Sequence, residues 1–404
     1  MTTIHRVIKS VKQDFTPNET LLKMMEIFRH MVNQCIRIGL ENDATSLKRL
    51  SNLAYHELQQ YNILSYYKIH AISRAAGILS NRKQSIKRGI VTRNPYLEKH
   101  ILVSCYGFKL ENEIFKIPLG DRIYFNVPLD YHVKQILSDP NIEINSFTLT
   151  IDSICISYSR LIEEIECTST AGIDRNLRNL TYGNCKKVIQ FDLSKTVQIA
   201  ENTKSIYSSF KRNDHRIRKK IYFKYGTRRK NRVNQMLHKV SKSVVTQAYK
   251  RKEAIVFEDI RYIRSMYRKG NGQGKKYRGR LNSWSFGEIK RQIEYKARWN
   301  GIPVIQLSKS ETRGTSTLCP TCGKRLQDQW TLNNSDHNRE LWCHTCQRWL
   351  DRDVVAVMNQ SLRGLSRLDS SRGVAGEAMV QEFGVLPVIL QVDATKSLLH
   401  IMKC

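Results

Sequence analysis

The sequence predicts a multidomain α+β chain: a small β-barrel carrying an inserted helical bundle, then an α/β layer interrupted by a four-cysteine insertion. Three observations predict it. Helical periodicity between residues 16 and 96 gives way to short β-rich runs that continue to about residue 165. Beyond residue 168, three strand-like runs in series are followed by helices and strands in alternation. Two Cys-x-x-Cys pairs, Cys319/Cys322 and Cys343/Cys346, stand 20 residues apart just ahead of the last helix.

Composition bounds the partner. The chain has 404 residues, room for two or three domains, and carries 67 Lys and Arg against 36 Asp and Glu, a net charge of +31. That excess predicts a polyanion, and the choice lies between nucleic acid and a membrane surface. No run of 18 apolar residues occurs, and the N-terminus lacks the apolar core of a signal peptide, so nucleic acid is the expectation. The six other cysteines (Cys35, Cys105, Cys155, Cys167, Cys185, Cys404) are scattered and read as ordinary thiols in a reducing compartment. The expected location is the cytoplasm.

The elements follow in order. IHRVIKSVK within residues 1–15 reads as a strand, and Thr16-Pro17-Asn18 starts a helix with Leu21, Met25, Phe28, Val32 and Cys35 on one face. A second amphipathic stretch sets Leu47, Leu50, Leu53 and Leu58 near one face, and a third runs from about Tyr66 to the basic segment before Gly89. The runs ILVSCY, IFKIPL, RIYFNVPL, SFTLTI and ICISYSR are strands, with turns at Asn112 and Gly120-Asp121. With the first strand they are expected to form a barrel over 1–15 and 97–165, the helical bundle of 16–96 being inserted.

AGIDRNL, LTYGN and VIQFDL open the second half as three strands. A long helix is expected from about Thr203 to Lys252, with eleven Lys and Arg in the 22 residues from Lys211 to Arg232 and Tyr222, Phe223 and Tyr225 interleaved. So dense a run repels itself unless counter-charged, which favours phosphate contact by Arg212, Arg216, Arg218, Lys219, Lys220, Arg228, Arg229 and Lys230 over a plain solvated face. EAIVFEDI is a fourth strand, and KGNGQGKKYRGR reads as a basic glycine-rich loop whose Lys275, Lys276 and Arg278 touch phosphate. It has no Walker spacing. Ser285 and Glu288 stand in capping-box spacing ahead of a helix burying Phe286, Ile289, Ile293 and Ala297, Gly301-Ile302-Pro303 stops it, and PVIQLSKS is a fifth strand. A last helix starts near Asp351.

This order describes a ribonuclease-H-like layer over 168–316 and 350–365, with the insertion at 317–349 and a tail at 366–404 of uncertain order. Two knuckles of paired thiolates complete a tetrahedral Zn²⁺ site and leave no open position for water, so that metal is structural. Acids occur at three separated points of the layer: Asp174 in the first strand, Glu258 at the end of the fourth, Asp353 at the start of the last helix. Phosphodiester hydrolysis needs neutralised phosphate oxygens, an activated water and a stabilised leaving oxygen, which two Mg²⁺ ions on carboxylate ligands supply. Alternatives stand at each point. Asp174 could be a strand-end residue held by an arginine, Asp259 could replace Glu258, and Asp351 and Asp353 could exchange the roles of helix cap and metal ligand.

AGIDRNLRNLT, IVFEDI and TSTLCPTCG…CHTCQRWLDRDVVAVMN resemble the three RuvC motifs and zinc ribbon of TnpB (OrfB), the transposon-encoded RNA-guided nucleases related to type V CRISPR effectors. NSWSFGEIKRQIEYKA and the Gly301-x-Pro303-Val304 segment are similar to the family between its second and third motifs, and GIDRNLRNLT and DRDV are most similar to archaeal members. The resemblance covers about residues 170–365. It implies a wedge barrel and recognition helices before that. It also implies a guide RNA from the transposon end, a short transposon-adjacent motif on double-stranded DNA, cleavage of both strands, a monomer or dimer with one RNA, and a prokaryotic cytoplasm in contact with the nucleoid. By motif, Asp174, Glu258 and Asp353 would bind catalytic Mg²⁺, and Cys319, Cys322, Cys343 and Cys346 would bind Zn²⁺. One departure is visible: the family's Asp-x-Asn-Ala-Ala is here Asp353-Val354-Val355-Ala356-Val357, which leaves open an inactive relative that binds guided DNA without cutting it.

Overall fold

The computed structural model describes residues 4–120, 122–210, 215–260, 263, 272, 274–328, 339–371 and 387–394. They fall into two compact units, one of Arg6–Leu161 and one of Met1–His5 with Ile162–Cys404.

The first unit runs β1 (Ile4–Asp14), α1 (Glu19–Glu41), α2 (Leu47–Ala54), α3 (Ser65–Lys87), β2 (Ile101–Ser104), β3 (Lys109–Glu111), β4 (Ile114–Gly120), β5 (Ile123–Pro128), α4 (Tyr131–Leu137), β6 (Ile142–Thr150) and β7 (Ser153–Glu163). Asn18 caps α1, its side-chain oxygen accepting from the Leu21 N–H at 2.9 Å, and the stripe Leu21, Met25, Phe28, Val32 and Cys35 is wholly buried. The leucine face of the second stretch splits. Leu50 and Leu58 are buried while Leu47 and Leu53 are exposed, because steps of three drift around a helix of 3.6 residues per turn. Leu58 itself lies in a short 3-10 turn after α2.

The strands expected in one barrel form two hydrogen-bonded sheets among the described residues, ordered β1-β7-β6-β2 and β3-β4-β5. Tight reversals explain the division. Asn112 and Glu113 (φ 50° and 62°) and Arg122 (φ 61°) turn the chain back within a few residues, so β4 pairs with its immediate neighbours in sequence.

The second unit contains β8 (Ser169–Arg175), β9 (Asn179–Gly183), β10 (Lys187–Asp192), α5 (Ser194–Ser208), α6 (His215–Arg251), β11 (Glu253–Phe257), α7 (Lys275–Asn282), α8 (Phe286–Trp299), β12 (Val304–Gln306), α9 (Lys309–Thr312), β13 (Gln327–Asp328), β14 (Glu340–Cys343), β15 (Arg348–Asp351), α10 (Arg352–Ser371) and β16 (Val388–Asp393). One sheet is ordered β12-β11-β8-β9-β10-β16, with β8, β9 and β10 antiparallel and β11 and β12 parallel to β8. All five residues of β11 are buried, as a strand covered on both faces requires.

The pleat sorts side chains between the two faces. Ala171, Ile173, Ile255 and Phe257 join a core with Val240, Val244, Ile289 and Ile293 of α6 and α8. Thr170 and Gly172 face α10, where the Thr170 hydroxyl donates to the Ser361 carbonyl at 2.6 Å and the Ser361 hydroxyl donates back to the Thr170 carbonyl at 2.8 Å.

Several expectations need correction. The long basic helix is two elements, α5 ending at Ser208 and α6 beginning at His215, and Arg212 lies outside the described residues. Ser285 precedes α8 but makes no side-chain cap bond, its backbone (ψ 38°) lacking the extended form of a cap; the Glu288 carboxylate, which would return the second bond of a capping box, is taken by Arg291 and Gln292, and Phe286 is only half-buried. The glycine-rich stretch is helical from Lys275, where good helix formers follow Gly274 and Arg280 Nε meets Glu201 Oε1 at 2.6 Å. The last helix continues to Ser371, and part of the tail pairs as β16, parallel to β10 from Lys187↔Val388 to Asp192↔Asp393.

Candidate catalytic and metal centres

Register brings the first two acids together. β8 and β11 are parallel neighbours with Ile173 opposite Phe257, so the next residue on each chain is Asp174 on one and Glu258 on the other. Asp353 is the second residue of α10. Burial drives the Asp174 carboxyl well above the ordinary carboxylate range, and the negative charges of Glu258 and Asp353 push the same way. Asn176 opposes them, donating from Nδ2 to Asp174 Oδ2 at 2.7 Å. Asp174 therefore lies within electrostatic reach of both Glu258 and Asp353.

Each of the others has its own support. Glu258 is raised by burial and pulled back by Arg175, whose Nη2 donates to the Glu258 carbonyl at 3.1 Å and whose Nε stands 3.9 Å from Oε1. Asp353 is buried. It accepts from Asn179 Nδ2 at 2.9 Å, and Arg339 Nη2 reaches both carboxylate oxygens at 2.8 and 2.7 Å. Arg339 holds a left-handed backbone (φ 72°), and its carbonyl accepts from the Arg352 N–H at 3.1 Å. Asp351 acts differently: its Oδ1 accepts from the Asp353 and Val354 N–H groups at 2.8 and 3.0 Å, the geometry of an N-cap. Asp259 stands beyond Glu258 with its N–H donating to Thr312 Oγ1 at 2.9 Å.

The acid cluster suits a hard cation on two observations. Like charges are forced together under burial, and the Asn179 side-chain oxygen is buried with no hydrogen-bond donor among the described residues. Asn176, Asn179 and Arg339 escaped the sequence reading. The first two stand in GIDRNLRNL as ordinary turn residues, and Arg339 becomes relevant only when the chain folds back.

The second centre is the cysteine cluster. Sγ atoms of Cys319, Cys322, Cys343 and Cys346 all lie within 4.8 Å of one another, with Cys319–Cys346 at 3.9 Å and Cys322–Cys343 at 3.5 Å. A tetrahedral site with Zn–S bonds of about 2.3 Å calls for sulfurs about 3.8 Å apart, so the set is consistent with structural zinc. No carboxylate group converges in this way among the described residues. Gly323 (φ 70°) and Gln347 (φ 49°) turn the chain after each knuckle. The cluster is continuous with Leu326, Leu341, Leu350 and Val355, the last of these on α10.

That packing accounts for the run Asp353-Val354-Val355-Ala356-Val357. Val355 packs against the cysteine cluster, while Val354 and Val357 pack with Val188 and Met358. Further along α10, Asn359 Nδ2 donates to the Thr315 and Leu318 carbonyls, both at 2.8 Å, tying the helix to the approach to the first knuckle.

Of the basic residues, Arg216, Lys219, Lys220, Arg228 and Lys230 are exposed along α6, with Arg218 and Arg229 half-buried. Arg218 lies over the Tyr222 ring at 5.3 Å and Arg228 over Tyr225 at 5.6 Å, while Phe223 is 78 % exposed. Lys275 and Lys276 are exposed and Arg278 half-buried on α7. No described helix is long and apolar enough to cross a membrane.

Comparison with known proteins agrees with this arrangement. The profile of the Cas12f1-like, TNB domain matches residues 286–360, the span from α8 through the cysteine cluster into α10. The TnpB-like protein MJ0751 of Methanocaldococcus jannaschii is 32 % identical over 273 residues, covering 62 % of this chain and 91 % of the relative. A second protein of that organism, TnpB-like protein MJ1635, is 24 % identical over 332 residues, covering 79 % and 73 % of the two chains. With a relative 32 % identical matched over 91 % of its length, the chain belongs to the TnpB-like family.

Proposed function

We propose that the chain is an RNA-guided, Mg²⁺-dependent DNA endonuclease of a transposon, cutting double-stranded DNA matched to a guide RNA beside a short adjacent motif. The observation that carries this reading is the register that sets Asp174 and Glu258 side by side past the paired Ile173 and Phe257, with Asp353 near enough to add to the burial and the Glu258 charge that raise the Asp174 carboxyl. Three antiparallel strands extended by parallel strands on the β8 side are the order expected of a RuvC, ribonuclease-H-like layer, and they support the nuclease reading. In it, residues 168–316 and 350–365 form the nuclease layer and 317–349 the zinc ribbon.

Asp174, Glu258 and Asp353 would hold two Mg²⁺ ions, which when bound neutralise phosphate oxygens, lower the pKa of the attacking water and stabilise the leaving oxygen. Asn176 and Asn179 fix the rotamers of Asp174 and Asp353, and Arg175 offsets the charge of Glu258. Guide and target would be held mainly through their backbones by the cations of α6 and α7, base pairing supplying the sequence specificity. Four cysteines complete a closed zinc site remote from the chemistry, and β15 runs directly into α10, so the zinc acts by fixing where that helix begins.

The test is to express the chain with its flanking genomic DNA, purify it, and sequence the RNA that comes with it. RNA from the adjacent transposon end is expected, with Mg²⁺-dependent cleavage of a matched plasmid that Asp174→Ala abolishes. Absence of bound RNA would overturn the guided reading. Cleavage indifferent to Asp174→Ala would overturn the assigned site.

A further inference from the structure

Between α5, α6 and the start of α8 lies a cleft of about 260 Å³ that the acids do not use. Tyr207, Arg229, Lys230, Val233, Asn234 and Ser285 line it. Gly226 keeps it open, since a Cβ there would stand 3.1 Å from the Tyr207 hydroxyl. The Tyr207 ring is held in place: it meets Tyr222 edge to face at 4.3 Å, and its hydroxyl donates to the Tyr222 carbonyl at 3.1 Å. A narrower hollow shares Val233 and Ser285 with the cleft and continues to Asn176 and Asn179, the two amides that hold Asp174 and Asp353. Cleft and acids are thus joined along one wall.

We infer that this cleft seats a single nucleotide, base included, of the strand that leads to the acids. Its chemistry has the three parts a nucleotide needs. Arg229 and Lys230 meet the phosphate, Tyr207 and Val233 offer an aromatic and an apolar surface to the base, and Asn234 and Ser285 present donors and acceptors to the base edge. The volume lies just under the roughly 300–1,000 Å³ of pockets for drug-sized ligands, which suits one nucleotide and excludes a base pair. A strand engaged here would be single-stranded at that point. This deepens the nucleic-acid reading of this half of the chain and does not depend on cleavage.

The experiment uses the full-length protein in EDTA with 2-aminopurine deoxyribonucleoside monophosphate as probe, followed by fluorescence, with inorganic phosphate as competitor. Binding of a 12-nucleotide single strand is measured alongside. Saturable probe binding is expected, displaced only weakly by phosphate. Tyr207→Ala should weaken it roughly tenfold through loss of stacking. Gly226→Leu should weaken it as much by filling the cleft; leucine favours the helix over glycine within α6, and an unchanged circular dichroism spectrum and melting curve should show that the fold is kept. No saturable binding, equal displacement by phosphate, or indifference to Gly226→Leu would overturn the nucleotide seat. Failure of the 12-nucleotide strand to bind would instead overturn the nucleic-acid reading itself, so the two failures are distinguishable.

Discussion

Gly172 of β8 lies so close beneath α10 that a Cβ on it would stand 2.4 Å from the Val357 carbonyl oxygen and 2.8 Å from Gln360 Cβ. Gly364 repeats the relationship on β11, where a Cβ would be 2.2 Å from Val256 Cγ2. Helix and sheet approach through these two glycines, and the helix carries Asp353 at its first turn. Gly172→Ala meets backbone that cannot turn aside, and overpacking of this kind costs about 1–3 kcal/mol. Urea denaturation should show that loss, and matched-plasmid cleavage should fall in fully folded protein because Asp353 is displaced. Unchanged stability would contradict the close approach.

Asp351 and Asp353 are separable by substitution. Asp351→Asn keeps an N-cap oxygen and should leave stability nearly unchanged, whereas Asp351→Ala should cost about 1 kcal/mol. Asp353→Asn should abolish cleavage while the chain keeps its fold, as circular dichroism and a cleavage assay will show together. Loss of cleavage in Asp351→Asn with retention in Asp353→Asn would reverse the assignment.

One zinc per chain is the expected stoichiometry, readable by plasma mass spectrometry on protein purified without chelator. Cys346→Ser should release the metal and loosen the start of α10, so cleavage is lost although the acids are untouched. Full activity in zinc-free protein would show that the cysteine cluster does not position Asp353.

Glu26 contributes to the acid dependence of the first unit, beside Glu111, Asp139 and Asp152, whose carboxyls are also held down by hydrogen bonds. Hydrogen bonding to Arg29, with the nearby charges of Arg29, His100 and His30, holds the Glu26 carboxyl down at about 2, against an ordinary 4.5. A carboxyl depressed on folding contributes stability that is full above the unfolded value and is lost as pH falls through the folded one. Thermal stability should therefore decline between about pH 5 and pH 2, and Glu26→Gln should flatten that part of the profile. An identical acid limb in the variant would show that the pairing contributes nothing.

Much of the candidate site was readable because its signals are local. Four cysteines at knuckle spacing, an Asp within AGIDRNL and a Glu closing IVFED each depend on a handful of neighbouring residues. The helix cap at Asp351 was readable for the same reason. The capping box at Ser285 was not, since a carboxylate three residues away has other partners to choose from, and Glu288 takes Arg291 and Gln292. In the tail VLPVILQV is β-like in sequence, but the partner of β16 was not readable, because an edge strand that pairs with β10 across some 200 residues leaves no periodicity to announce it.

By itself, then, the sequence determined the chemistry: which side chains could bind zinc, which acids could meet a divalent cation, and a net charge of +31 that favours a polyanionic partner. Those properties follow from residue type, spacing and summed charge. Only the tertiary structure decided that Asp174 and Glu258 leave adjacent strands at the same end, that Arg339 and Asn179 hold Asp353, and that two glycines let α10 lie against the sheet. These are contacts between residues far apart in the chain. They are set by strand register and close packing, which no local pattern encodes.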